Sequence, residues 1–167
     1  MQVRLATAED LPAVTRIYNA AIDEHTTADT EHVSLASRER WLAAHPPDRY
    51  PILVAENAGL IAGYASLSAY RPGRGATRHT AEISYYVDVD HRRRGVGRAL
   101  VGECIRRCPA LGLRALFAII LDDNTASVRL LESFGFTRWG HLPGVARFGD
   151  RTLGHVYYGR RVDDAPA

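Results

Sequence analysis

The chain has 167 residues and a formal net charge of +2, with 46% hydrophobic and 24% charged residues. That composition suits one soluble globular domain and excludes disorder, and the charge is too small to argue for nucleic acid. All 21 Lys+Arg residues are Arg, which excludes a catalytic or Schiff-base lysine and pyridoxal chemistry.

No apolar run approaches membrane-spanning length, so no membrane partner is expected. The start, Met1 to Leu5, lacks a signal-peptide core, and a cytoplasmic location is the expectation. Cys104 and Cys108 are four apart, a spacing that reads as buried helix packing and not as a zinc framework. The seven His residues show no H-E-x-x-H spacing, and no metal is expected.

In chain order, Val3 to Leu5 reads as a strand, and Thr7-Ala8-Glu9-Asp10 opens a helix with Thr7 as cap and Asp10 as the acidic half of a capping box. Leu11, Val14, Ile17, Tyr18 and Ile22 fall on its apolar face. A second helix covers about Leu35 to Ala44 and stops at Pro46-Pro47. Ile52 to Glu56 and Leu60 to Ala69 are strands joined by a turn at Asn57-Ala58-Gly59, and Arg71 to Arg78 is an exposed loop. A strand from about Thr80 to Val89, a helix over Val96 to Arg107 and an apolar strand over Leu113 to Leu121 make a βαβ unit. A helix from Asn124 to about Phe134 follows, closed by Gly135. Phe136 to Gly140 and Leu153 to Arg160 pair as late strands. The expected architecture is α/β, a mixed twisted sheet of about six to seven strands with helices on both faces, in one domain over residues 1–162 with a loose tail at 163–167.

The connection Arg92-Arg93-Arg94-Gly95-Val96-Gly97-Arg98 joins a strand directly to a helix. A helix N-terminus leaves about four N–H groups without internal partners and carries about half a positive charge. Gly95 and Gly97 keep side chains away from that point, and the arginines supply long cationic donors. This is a grip for a pyrophosphate. It is not a P-loop, which needs Gly-Lys-Ser/Thr, and it is not a dinucleotide fingerprint, because Leu100 stands where the third glycine belongs.

Arg92-x-x-Gly95-x-Gly97 resembles the Q/R-x-x-G-x-G/A motif of the GCN5-related N-acetyltransferase superfamily. Asn124-x-x-Ser127-x-x-Leu130, followed by Phe134-Gly135-Phe136, is similar to its second cofactor helix. Arg49-Tyr50-Pro51, Leu53 to Glu56, Thr80-x-Glu82, Tyr86-Val87, Ser127 to Leu130 and Phe148-Gly149 resemble the phosphinothricin and methionine sulfone/sulfoximine acetyltransferase group. The resemblance implies that acetyl-CoA donates to a small amino-acid-like amine, that the enzyme is a homodimer, and that Tyr85, Tyr86 and Val87 hold the pantetheine arm through their backbone. It implies that Arg92 to Arg98 hold the pyrophosphate and that Asn124 and Ser133 reach the cofactor from the next helix. It also places the acceptor stretch at Arg71, Arg74, Gly75, Ala76, Thr77 and Thr80, where Arg71, Arg74 and Arg78 suit a carboxylate or phosphinate. Gly73, Gly75 and Ala76 depart from the subgroup here, as do Thr152 and Gly154 after Phe148-Gly149.

Glu82, on the strand leading to the loop, is the candidate base; the other reading makes it an ion-pair partner of a neighbouring Arg. Leu131 replaces the subgroup's histidine and cannot donate a proton, which leaves Tyr85 and Tyr157 as candidate acids for the thiolate. Two further functions stay open: acetylation of a protein N-terminus, and a non-catalytic acyl-CoA sensor.

Overall fold

A computed structural model describes residues 1–162; the tail expected at 163–167 lies outside the described residues. Seven strands form one mixed sheet, in the order β1-β2-β3-β4-β5-β7-β6. They are β1 (Gln2–Leu5), β2 (Ile52–Asn57), β3 (Leu60–Ala69), β4 (Thr80–Val87), β5 (Ala115–Leu121), β6 (Thr137–Phe148) and β7 (Arg151–Arg161). The helices are α1 (Leu11–Asp23), α2 (Leu35–Ala43), α3 (Val96–Arg107) and α4 (Thr125–Glu132).

Helices cover both faces because most strands are apolar on both sides. Val54 and Tyr64 pack with Val14 and Ile17 of α1 on one face. Leu53, Ala65, Ile83 and Leu116 pack with Val96, Leu100 and Cys104 of α3 on the other. Successive side chains of a strand alternate between faces. In β4, Ala81 and Ile83 join the α3 core, with Tyr85 and Val87 packed against it, so Glu82, Ser84 and Tyr86 turn to the α1–α2 face. No helix among the described residues is long and apolar enough to cross a membrane.

Several local expectations are refined. The β2–β3 turn uses Ala58 at φ 51 and Gly59 at φ 78, the left-handed pair of a two-residue hairpin. Near Thr7, a short 3-10 turn (Ala8–Asp10) precedes α1, and the Asp10 carboxylate accepts from the Thr7 N–H at 2.8 Å and from Arg4. The largest difference is β6, which runs on to Phe148 and not merely to Gly140. Pro143 and Gly144 read as breakers, but register shifts between Arg138 and Gly140 and between Leu142 and Ala146 absorb them in this edge strand. β4 ends at Val87, and a 3-10 turn over Val89–His91 leads to α3.

Candidate active site

The site follows from how β4 meets its two neighbours. With β3 it pairs antiparallel and without a break, from Ala69↔Ala81 to Gly63↔Val87. With β5 it pairs parallel over only three positions, Thr80↔Ala115, Ala81↔Leu116 and Glu82↔Phe117. Beyond Glu82 the two strands diverge and leave a cleft.

The direction of the open amides can be read from the ladder. Tyr70 N–H donates to Thr80 O at 3.3 Å, and Asp88 N–H donates to Ala62 O at 3.0 Å. Even-numbered residues of β4 therefore spend their amides on β3. Alternate residues of a pleated strand turn theirs the other way. Tyr85 and Val87 thus present N–H and C=O groups to the gap that β5 has left, while Tyr86 does not. An extended, amide-bearing arm can add to such an edge as another strand would.

The cleft has a volume of about 630 Å³, and its lining includes Ile83 to Val87, Arg92, Arg93, Gly95 to Arg98, Ala118 to Ile120, Asn124 and Ser127. At its outer end the loop takes alternating conformations: Arg92 is extended, Arg93 has φ 59, and Gly95, the N-cap of α3, has φ 82. Successive turns of this kind gather backbone N–H groups around one point, and the start of α3 adds its own. A Cβ added at Gly95 would meet nothing within 4 Å, so only the left-handed backbone requires glycine there and the space above it is open. At Gly97 a Cβ would meet Leu130 Cδ2 at 3.0 Å; here glycine lets α3 and α4 approach.

The arginines divide into different roles. Arg92 is bound to Glu24 just beyond the end of α1 by two hydrogen bonds, so it ties the loop to that helix. Arg93 lines the cleft, whereas Arg94 is exposed and does not. Arg98 lines the cleft and lies over the Phe134 ring, 5.1 Å from its centroid, with Nη1 donating to Ser133 Oγ at 3.3 Å. Ser133 therefore stands behind Arg98 and outside the lining.

The loop's entry is held by Asp88, which is buried. Its carboxylate accepts from the Asp90 N–H at 3.0 Å and pairs with Arg16 at 2.6 Å. These hydrogen bonds and the Arg16 charge outweigh the burial and hold the carboxyl below its ordinary range.

Across the cleft, Asn124 caps α4, with its Oδ1 accepting from the Ser127 N–H at 3.1 Å. Its amide nitrogen makes no hydrogen bond with a described residue. Tyr85 reaches from β4 to α4, its hydroxyl donating to Ser127 O at 3.4 Å, and burial pushes the phenol up to about 12. Tyr157 lies on the opposite face, stacked on Phe117 with centroids 6.2 Å apart. Leu131 is fully buried in the α3 core.

Glu82 stands at the fork where β4 and β5 part, on the α1–α2 face, one residue before the cleft lining begins. It makes no hydrogen bond or ion pair with a described residue, so the expected alternative of an arginine partner is not realised. Burial alone raises its carboxyl above the ordinary range. Phe117 of β5 is its neighbour on one side and Ser68 of β3 on the other. Tyr70 packs edge-on against Phe117 at 5.1 Å.

The stretch expected to hold the acceptor does not line the cleft. Arg71, Arg74, Gly75, Ala76 and Thr77 lie beyond the paired end of β4, and Thr80 lies within it. A 3-10 turn over Gly75–Thr77 and the Thr77 hydroxyl, which donates to Tyr70 O at 3.0 Å, brace this loop. The Arg71 and Arg74 side chains are exposed and bond to no described residue. Thr80 shares the Glu82 face, two residues away.

Ala21, Thr26, Ser84 and Ala118 to Ile120 also line the cleft. None belongs to a motif; the fold alone brings them to the gap.

This geometry, an opened parallel strand pair ending on a helix-borne nest, belongs to a known class. The acetyltransferase (GNAT) family model matches residues 14–136. The chain is a member of that family and is an N-acetyltransferase.

Among its relatives is the L-methionine sulfoximine/L-methionine sulfone acetyltransferase of Pseudomonas paraeruginosa, 41% identical over 96% of this chain and 94% of that protein. A GNAT superfamily phosphinothricin acetyltransferase from Sinorhizobium meliloti, solved in complex with AcCoA, superposes with a TM-score of 0.91 at 31% identity, covering 96% of this chain and 87% of that one. A ribosomal-protein-alanine N-acetyltransferase from Brucella melitensis gives 0.92 at 35% identity, covering 96% and 99%.

Proposed function

We propose that the protein transfers the acetyl group of acetyl-CoA to the α-amino group of a small amino-acid-like acceptor of the methionine sulfoximine, methionine sulfone or phosphinothricin type. The observation that carries this reading is the open edge of β4, which runs from the Glu82 fork to the nest at Arg93–Gly97. The pyrophosphate of the cofactor fits the nest, with Arg93 and Arg98 beside it. The pantetheine amides fit the turned-out groups of Tyr85 and Val87, and the Asn124 amide can donate to the same arm. The thioester then lies near the fork.

In this reading Glu82 takes a proton from the acceptor ammonium. A model α-amine has a pKa of about 7.7–8.0 and is mostly charged at neutral pH, so a base is needed. The freed amine attacks the thioester carbon, and an outward N–H of β4 receives the developing oxyanion. Tyr85 keeps its proton at neutral pH and lines the cleft, which favours it over Tyr157 as donor to the leaving thiolate. The exposed guanidinium groups of Arg71 and Arg74, beyond Thr80 on the Glu82 side, suit the acceptor's carboxylate or phosphinate.

The acetyl-CoA reading supports the cytoplasmic location. Exposed Trp139, Leu142 and Val145 on edge strand β6 support a homodimer, which sedimentation velocity tests.

Release of CoA thiol from acetyl-CoA on adding methionine sulfoximine, methionine sulfone or phosphinothricin tests the acceptor class. A peptide with a free N-terminal alanine is the control suggested by the Brucella neighbour. Turnover of the peptide alone moves the protein to the N-terminal class, and acetyl-CoA binding without turnover of any amine leaves a sensor.

A further inference from the structure

Acetylation removes two protons from the acceptor nitrogen, one before attack and one after it. Glu82 can hold one at a time. The thiolate receives its proton from Tyr85 inside the cleft, so a second acceptor on the amine side of the fork takes the other nitrogen proton without waiting for Glu82 to discharge.

We propose that His45 and Ser68 form a proton relay at the acceptor amine, opposite Glu82; this rests on the acetyl-transfer reading above. His45 follows the end of α2. Its Nδ1 lies 2.6 Å from the carbonyl oxygen of Trp41. A carbonyl only accepts, so Nδ1 carries the hydrogen and the neutral ring keeps a lone pair on Nε2. Nε2 lies 3.2 Å from Ser68 Oγ, and the Ser68 hydroxyl therefore donates to His45. With its hydrogen directed at the imidazole, Ser68 Oγ presents lone pairs to any donor above the sheet.

Ser68 is the direct cross-strand partner of Glu82. The pair belongs to the hydrogen-bonded set of the ladder, with Cα atoms about 5.5 Å apart and both side chains on one face. An amine over Glu82 is thus within reach of Ser68 as well.

The surroundings keep the imidazole able to accept. Burial lowers its basicity, and the Arg38 guanidinium opposes a second positive charge, while the Trp41 carbonyl pulls the other way. The Trp41 ring packs against it at 4.9 Å. The groups facing His45 are therefore Arg38 and Trp41 from α2 and Ser68 from β3, with Glu82 across from Ser68 on β4.

The steps balance. Glu82 takes the first proton from the ammonium. The nitrogen lone pair forms the C–N bond, the C–S bond breaks, and its electrons leave on sulfur. The second nitrogen proton passes to Ser68 Oγ as the Ser68 proton passes to His45 Nε2, and the imidazolium then discharges to water. Tyr85 protonates the thiolate and takes a proton back from solvent, and Glu82 gives up its own proton to solvent; two protons leave to water and one returns, so one net proton is released per turnover.

The test compares unchanged protein with H45Q, S68A and the double variant, using initial rates against pH with methionine sulfoximine, together with melting temperature and acetyl-CoA Kd. Each single variant is expected to lower kcat by roughly 100-fold with the acetyl-CoA Kd unchanged. The double variant should lose no more than either single one, because the two groups act as a unit. The acid limb due to His45 should vanish in both single variants and remain in the unchanged protein. Unchanged kcat and pH profile in H45Q and S68A overturn the relay, as do losses that multiply in the double variant. If H45Q does not fold, S68A alone decides. No turnover by the unchanged protein with any amine overturns the acetyl-transfer reading and the relay with it.

Discussion

At the outer end of the cleft, the groups that would face the cofactor are mainly backbone: the N–H groups of a nest and of a helix start, shaped by Gly95 and backed by Arg93 and Arg98. At the fork they are side chains from separate segments: Glu82 on β4, Ser68 on β3, His45 after α2 and Phe117 on β5. The outer end is built from one continuous stretch, so short-range sequence specifies it. The fork exists only because β5 leaves β4 after three residue pairs. The outer end should therefore govern cofactor affinity and the fork should govern rate.

The strongest way to break this division is Glu82→Gln. We expect kcat to fall by about 10²–10⁴-fold with acetyl-CoA affinity unchanged, measured by thiol release and by calorimetry. Raised acetyl-CoA Kd with normal kcat would sink the assignment. The same variant carries an opposite prediction for stability. Burial raises the folded carboxyl above its unfolded value, so the ionised form destabilises the native state at neutral pH and that cost disappears as pH falls through the raised folded value. The variant should melt slightly higher at pH 7, and the gap should close in acid.

At the outer end, Arg98→Ala or Arg93→Ala should weaken acetyl-CoA binding by roughly 10- to 150-fold, the loss of one charge-assisted hydrogen bond, with kcat at saturation near normal. Arg92→Ala sharpens the contrast. Its guanidinium is already bound to Glu24, so the acetyl-CoA Kd should change by less than about 3-fold, with only a small loss of stability. A large loss of affinity would mean that Arg92 leaves Glu24 when the cofactor arrives.

A smaller effect is expected at the hinge between loop and sheet. Asp88→Asn removes the pair with Arg16 and should cost about 1–3 kcal/mol in urea unfolding. The folded carboxyl of Asp88 lies below its unfolded value. Its contribution is thus present above the unfolded carboxylate range and is lost as pH falls through the lower folded value, so wild type and variant should converge only in strong acid.

The sheet, its helices and the loop proposed to grip the pyrophosphate were legible because each depends on local pattern: the largely apolar run of β3, the apolar stripe of α3, and glycine where the backbone turns left-handed at Gly95. Glu82 was legible as a residue of the strand that enters the loop. The second half of β6 was hidden because Pro143 and Gly144 read as breakers, and only the register shifts against β7 show how the strand absorbs them. The roles of the arginines were also hidden. A run of three looks uniform in sequence, but Glu24, 68 residues away, takes Arg92, and the turn at Arg93 directs Arg94 out of the cleft.

The sequence by itself determined the helix-borne nest and the direction of the strand that feeds it, since both are set by residues within one or two turns of each other. Only the tertiary structure decided which amides of β4 are open, that Glu82 has no arginine partner among the described residues, and that His45 meets Ser68 across from it. Those facts depend on where β5 separates and on contacts between distant segments. Packing, not local propensity, fixes such contacts.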